Sequence, residues 1–289
     1  MSQRFLVTGA TGRTGGYTVA ELRRQGHEVR ALVHRADERS ARLAADGVEI
    51  VVGDLRDLDA VSRATKGIDA AYFVYPIEPG LLDATAVMLQ AAEENGVRAL
   101  VTMSQISARR DAGSNAARQH WLSERLLDRL PGAVTHLRPT FFAEWLHFFA
   151  DHAAGQLRLP FADGRHAPVA AEDQGRLIAA ILADPRPHAG KTYTLHGPVE
   201  LDHHQIAAAV SRTLGRPFDY VPISIDEFRA DLARHGHNPH RIQHLANVAV
   251  DYRNGIFAGT NDVIRTVTGV EPLTVEAFVA RNREQFAVR

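Results

Sequence analysis

Two rhythms of apolar and polar residues alternate along the first half of the chain. Short apolar runs lie at residues 3–8, 28–33, 48–52, 69–74, 98–104 and 134–138; stretches with helical spacing lie between them, near 15–25, 37–45, 57–65, 80–95 and 115–130. Strands separated by helices cannot form hairpins. They predict an α/β fold, a Rossmann-like doubly wound parallel sheet with helices on both faces. In such a sheet a ligand lies across the carboxyl ends of the strands, so the residues just after each apolar run carry the candidate chemistry.

After Pro139 the strict repeat stops. An aromatic stretch, Phe141-Phe142-Ala143-Glu144-Trp145-Leu146-His147-Phe148-Phe149, gives way to a turn-rich passage with Gly155, Pro160, Gly164 and Pro168. A helix is expected over 171–183, ending before Pro185, then a strand at Lys191–Leu195 and a helix capped by Asp202 running to Leu214. The last third reads as mainly helical. This divides the chain into an NAD(P)-binding Rossmann domain over 1–150 and a smaller, mainly helical α/β substrate-binding lobe over 151–289. No Ser- or Pro-rich linker separates them, so the lobe is expected to pack on the sheet edge with its chain crossing back.

The first loop fixes the class of ligand. Thr8-Gly9-Ala10-Thr11-Gly12-Arg13-Thr14-Gly15-Gly16 joins the first strand to the first helix. Glycines permit a tight turn and a close backbone approach, and the helix N-terminus favours an anion, so Gly9, Thr11, Gly12, Arg13, Thr14 and Gly15 are candidate ligands for a dinucleotide pyrophosphate. The spacing is Gly-x-x-Gly-x-x-Gly, a variant of the usual Rossmann fingerprint. The second strand ends Val33-His34-Arg35, with no carboxylate there to hold a ribose hydroxyl. A guanidinium at Arg35 suits a 2′-phosphate, so NADP(H) is preferred over NAD, with Arg39 as a further source of positive charge. Asp54 and Leu55 follow the third strand and suit the adenine, although Asp54 could equally cap the next helix. Phe73, Val74 and Tyr75 end the fourth strand and should run toward the nicotinamide; Tyr75 either lines the substrate space or is simply a strand-end aromatic.

Composition limits the partners. With 289 residues and a formal net charge of −1 the chain has no basic field for nucleic acid or an anionic membrane, and without cysteine it has no thiolate nucleophile or thiolate metal site. No apolar run is long enough to span a bilayer, and a cytoplasmic location is expected.

The glycine turn, Gly53-Asp54-Leu55 and Leu137-Arg138-Pro139-Thr140-Phe141-Phe142-Ala143-Glu144 together resemble the NmrA-like family of atypical short-chain dehydrogenases. So do Asp173, Gly190-Lys191-Thr192-Tyr193-Thr194-Leu195, Gly197-Pro198, Leu214-Gly215-Arg216-Pro217, and Thr268-Gly269 with Pro272, so the resemblance spans essentially the whole chain. It implies NADP binding and one of several roles: redox-sensing regulator, quinone oxidoreductase or triphenylmethane dye reductase. Fold and cofactor follow from it more securely than turnover.

Ordinary short-chain dehydrogenases protonate the substrate oxygen with a Tyr whose pKa a nearby Lys lowers. Here the corresponding helix reads Arg118-Gln119-His120-Trp121-Leu122-Ser123-Glu124-Arg125, so alcohol–ketone chemistry through that pair is excluded. Ser104 matches the place of the dehydrogenase serine and His120 faces the nicotinamide region in related proteins; these are the candidate catalytic residues, with Ser104 also a candidate cofactor contact. Pro139, Thr140 and Phe141 would hold the nicotinamide. Trp145, Phe148 and Phe149, with Tyr75 and His120, would bound a flat substrate, unless those three aromatics belong to the lobe core. Hydride transfer needs no protein acid when the acceptor is already electron-poor, which points to an NADPH-dependent reductase of a small planar aromatic or quinone-like molecule. The competing reading is a non-catalytic NADP(H) sensor acting through a protein partner; a homodimer is compatible with either. Among the 15 histidines, His235, His237, His240 and His244 cluster in one segment, read as a solvated loop and helix start, with no metal site assigned.

Overall fold

The computed structural model describes residues 2–287. Six strands, β1 (Arg4–Thr8), β2 (Glu28–Val33), β3 (Glu49–Val52), β4 (Ala70–Phe73), β5 (Ala99–Met103) and β6 (Ala133–Pro139), follow the predicted runs. They alternate with α1 (Arg13–Arg24), α2 (Glu38–Ala45), α3 (Leu58–Thr65), α4 (Leu81–Glu94) and α5 (Asn115–Leu127). Beyond them come α6 (Trp145–Phe148), β7 (Ala150–Asp151), β8 (Gln156–Leu159), β9 (Arg165–His166), α7 (Ala171–Ala183), β10 (Lys191–Leu195), β11 (Leu201–Asp202) and α8 (His203–Leu214). The chain ends through β12 (Asp219–Pro222), α9 (Ile225–Arg234), α10 (Pro239–Arg253), α11 (Val263–Thr268) and α12 (Val275–Arg281).

A seven-stranded sheet in the order β3-β2-β1-β4-β5-β6-β10 organises the molecule, and every pairing in it is parallel. Side-chain alternation sorts its two faces. Phe5 and Val7 join Val19 and Leu22 of α1 and Leu177, Ile178 and Ile181 of α7 in one core; Leu6 joins Val61 of α3 and Ala84 and Met88 of α4 in another. The strand order reverses between β1 and β4, so a crevice opens at their carboxyl ends.

The lobe has its own core, in which Phe141, Leu146, Leu157, Ile206, Phe218, Leu245, Tyr252 and Phe278 meet. After the aromatic stretch, α7 packs against α1, and β10 pairs with β6 before the chain continues to β11. The lobe also carries two small sheets, β12-β8-β7 and β11-β9, within what read as turns and helices. Strands of two to four residues are too short to leave a period of two in the sequence.

Candidate active site

The glycine turn sits at the crevice. Gly9 has φ +59, a left-handed conformation, and a Cβ there would lie 2.6 Å from Val74 Cγ1. A side chain on Gly15 would collide with the Gly9 carbonyl, so glycine at this position lets α1 start directly under the turn. At its N-terminus α1 has neither a side-chain cap nor an acidic residue in its first turn, whereas α2, α3 and α5 are capped by Asp37, Asp57 and Ser114. The α1 amides therefore lack a side-chain acceptor of the protein's own, which suits the pyrophosphate of a dinucleotide. Thr14 turns inward, its hydroxyl 2.9 Å from that of buried Tyr72. It supports the turn from below, leaving its backbone for a ligand.

From this turn a groove of about 560 Å³ runs along the strand ends, lined by Gly9, Thr11, Val33, His34, Gly53, Asp54, Leu55, Val74 and Tyr75, among others. Arg56 holds Asp54 through its backbone N–H at 2.8 Å and its guanidinium at 2.7 Å, and pulls the Asp54 carboxyl down to about 2. The cap of α3 is Asp57, so Asp54 does not have the capping role left open for it. Arg35 is exposed and has no ion-pair partner among the described residues; Arg39 is tied to Asp37 at 2.7 Å, and its charge is already compensated. Asp37 in turn caps α2. Phe73 is buried in the sheet core, and the groove is reached by Val74 and Tyr75 instead.

Beyond Tyr75 a second cavity opens, of about 230 Å³. Val74, Tyr75 and Pro76 belong to both. The strand ends supply Met103, Ser104, Pro139 and Phe141, the lobe supplies Phe142, Trp145, Val248 and Phe257, and His120 and His244 complete the lining. Among the described residues no Asp, Glu, Lys or Arg lines it. Ser104 donates its hydroxyl to Glu124 Oε1 at 2.6 Å, and Arg138 grips the same buried carboxylate at 2.5 Å. The only proton of Ser104 is thus committed, and toward the cavity the hydroxyl can only accept. Thr140 is likewise engaged, donating to the Ala167 carbonyl at 2.9 Å, so at that position the backbone and the neighbouring Pro139 and Phe141 form the wall. Buried Gln105 Nε2 has no partner among the described residues and lies on the lining, an amide donor suited to a ligand acceptor.

Burial pushes the His120 imidazole down to about 4, against a smaller opposing pull from Glu124. A neutral imidazole therefore faces the cavity at physiological pH. Of the aromatics after Pro139, Phe141, Phe142 and Trp145 line it, while Phe148 and Phe149 do not. Phe149 packs against the lobe core, and Phe148 is 48 % exposed, its ring beneath the Arg13 guanidinium at 5.8 Å.

The NmrA-like family pattern matches residues 1–279. The chain belongs to that family. An NAD(P)H azoreductase from Xenophilus azovorans is 28% identical over 98% of this chain and 99% of its own. The (4-alkanoyl-5-oxo-2,5-dihydrofuran-3-yl)methyl phosphate reductase of Streptomyces griseus is 30% identical over 98% and 99%. Among solved structures, an NADPH-dependent quinone oxidoreductase from Escherichia coli in complex with NADPH superposes with a TM-score of 0.85 at 23% identity, covering 96% of this chain and 99% of that one.

One residue of this NmrA-like site was misread in the sequence. His244 is buried on α10 and reaches the cavity, whereas its neighbours in sequence suggested a solvated segment. The signal was present: His244 and Val248 stand four apart, on one helical face, and both line the cavity. Among the described residues no three His, Asp or Glu side chains gather to hold a metal, and no helix is long and apolar enough to cross a membrane.

Proposed function

We propose that this protein is an NADP(H)-dependent reductase of small, planar, electron-poor acceptors such as quinones. The observation that carries this reading is the continuity of the two spaces: the dinucleotide groove and the apolar cavity share the Val74-Tyr75-Pro76 wall, so a cofactor along the groove would end where a flat acceptor can lie. The α1 amides and the glycine turn would hold the pyrophosphate, Arg35 the 2′-phosphate, Leu55 the adenine face, and Pro139 with Phe141 the nicotinamide side. When bound, the dihydronicotinamide supplies two electrons and one hydrogen together as hydride. The protein's part is placement and exclusion of water: Trp145, Phe142 and Val248 form apolar walls, and His120 offers an uncharged polar edge. Helix α5 contains neither Tyr nor Lys, so ketone reduction by that pair is not available.

Relatives bearing reductase names support the reading, as does the open cavity, which a pure sensor has no need to maintain. The test is NADPH oxidation followed at 340 nm against a panel of quinones, azo compounds and cationic dyes, beside a cofactor titration. Turnover on at least one acceptor is expected; tight binding with no turnover would leave the sensor.

A further inference from the structure

Helices α5 and α10 each present one imidazole to the cavity, His120 and His244. His244 is held by Ser114, whose Oγ lies 2.9 Å from His244 Nδ1. Ser114 is fully buried, and its oxygen already accepts the Ala117 N–H as the cap of α5. Its own hydrogen needs an acceptor, and Nδ1 is the one within reach. The hydroxyl therefore donates to Nδ1, which places the imidazole hydrogen on Nε2, the nitrogen with no partner among the described residues. His120 has no hydrogen bond from the described residues to either ring nitrogen. Both rings line the same cavity.

Resting on the reductase reading above, we infer that His244, oriented by Ser114, docks the oxygen of a neutral carbonyl-bearing acceptor, so that the cavity selects quinones and conjugated carbonyl compounds over cationic dyes. Three features of the cavity support this. Among the described residues its lining contains no carboxylate to balance a permanent cation, and Glu124, which lies behind Ser104, is already shared by Arg138 and Ser104. An unbalanced cation would lose its hydration with no compensating charge. A fixed N–H, by contrast, matches the oxygen on which negative charge grows as a quinone accepts hydride. Burial holds the His244 imidazole down to about 3, so it enters the reaction uncharged and keeps its proton. The step balances as quinone plus NADPH plus one proton giving hydroquinone plus NADP⁺, with the added proton drawn from water. Met103, Ile106, Phe141 and Trp145 would bound the ring while the oxygen meets His244.

The experiment compares the wild type with His244→Leu, His244→Gln and His244→Asp on menadione, a neutral quinone, and malachite green, a cationic dye. Wild type should favour menadione at least about tenfold in kcat/KM. His244→Leu should lose about tenfold or more on menadione with NADPH Kd within about twofold of wild type; His244→Gln, which restores an N–H donor, should recover part of the loss; His244→Asp should shift preference toward the dye. Menadione quenching of tryptophan fluorescence in the NADP⁺-loaded protein, with Trp145 on the cavity wall, measures docking without turnover and should weaken in the Leu variant. Unchanged menadione kinetics and quenching in His244→Leu, or a wild type that prefers the dye, overturns the assignment of His244. A wild type that turns over no acceptor overturns the reductase reading instead, and the quenching arm then decides alone whether His244 holds a neutral carbonyl ligand.

Discussion

The dinucleotide groove and the cavity share one wall but have opposite electrostatics. The groove is lined by the glycine turn, His34 and the Asp54–Arg56 pair, while the cavity has no charged lining residue among the described residues and carries two imidazoles that burial keeps neutral. A groove that holds a charged cofactor can stay wet, because its contacts are charge-assisted. A cavity where hydride moves gains from being dry, since every dipole fixed inside it acts more strongly there.

Gly15→Ala should have the largest effect on the groove side. The added Cβ displaces the turn against the Gly9 carbonyl, and NADPH affinity should fall about 100-fold, on the order of 3 kcal/mol, with far-UV circular dichroism retained. A titration within tenfold of wild type would show that the α1 terminus does not hold the pyrophosphate.

Acid should act on the buried histidines, of which His120 and His244 line the cavity and His203 packs among Phe161, Tyr220 and Tyr252 of the lobe. His120, His203 and His244 are buried and held down to about 4, 3 and 3, so from pH 6.5 downward the unfolded chain binds protons that the folded chain refuses. Stability is complete above pH 6.5 and falls as pH drops toward those values, by about 2 kcal/mol per histidine at pH 5. Urea denaturation at pH 7 and pH 5 measures the loss, and His120→Phe should flatten the slope by one histidine's share. An unchanged slope would mean that the ring takes up protons while folded.

Arg35→Ala separates the cofactors. NADPH should weaken about tenfold, about 1.4 kcal/mol, with NADH unchanged, and equal losses would remove Arg35 from the 2′-phosphate. The smallest effect belongs to Phe148→Ala. Because the ring lies outside the cavity against Arg13, acceptor KM should stay within about twofold, and a larger rise would return Phe148 to the substrate wall.

Legibility in the sequence divides along the same line. The groove is made of short segments that each follow a strand, so Gly9, Asp54 and Val74 could be placed from local pattern alone. The cavity draws on α10, and contacts such as Ser114 to His244 join residues far apart in sequence that no local period links. Local contacts also engaged side chains that looked available: buried Thr14 with Tyr72, buried Ser104 with Glu124, and exposed Arg39 with Asp37. The sequence supplies the residue types, and the packing decides which of their hydrogen bonds are already used.

The late return of β10 to the sheet has a consequence for biogenesis. Until Lys191–Leu195 has been synthesised, β6 stands as a bare edge, and until α7 follows the aromatic stretch, the face bearing Phe5, Val7 and Val101 lacks Leu177, Ile178 and Ile181. A chain halted at residue 150 would present both an open edge and an uncovered apolar face, the two features by which nascent sheets find the wrong partner. The nucleotide-binding half is therefore a product of the whole polypeptide, finished only when its own C-terminal segments come back to close it.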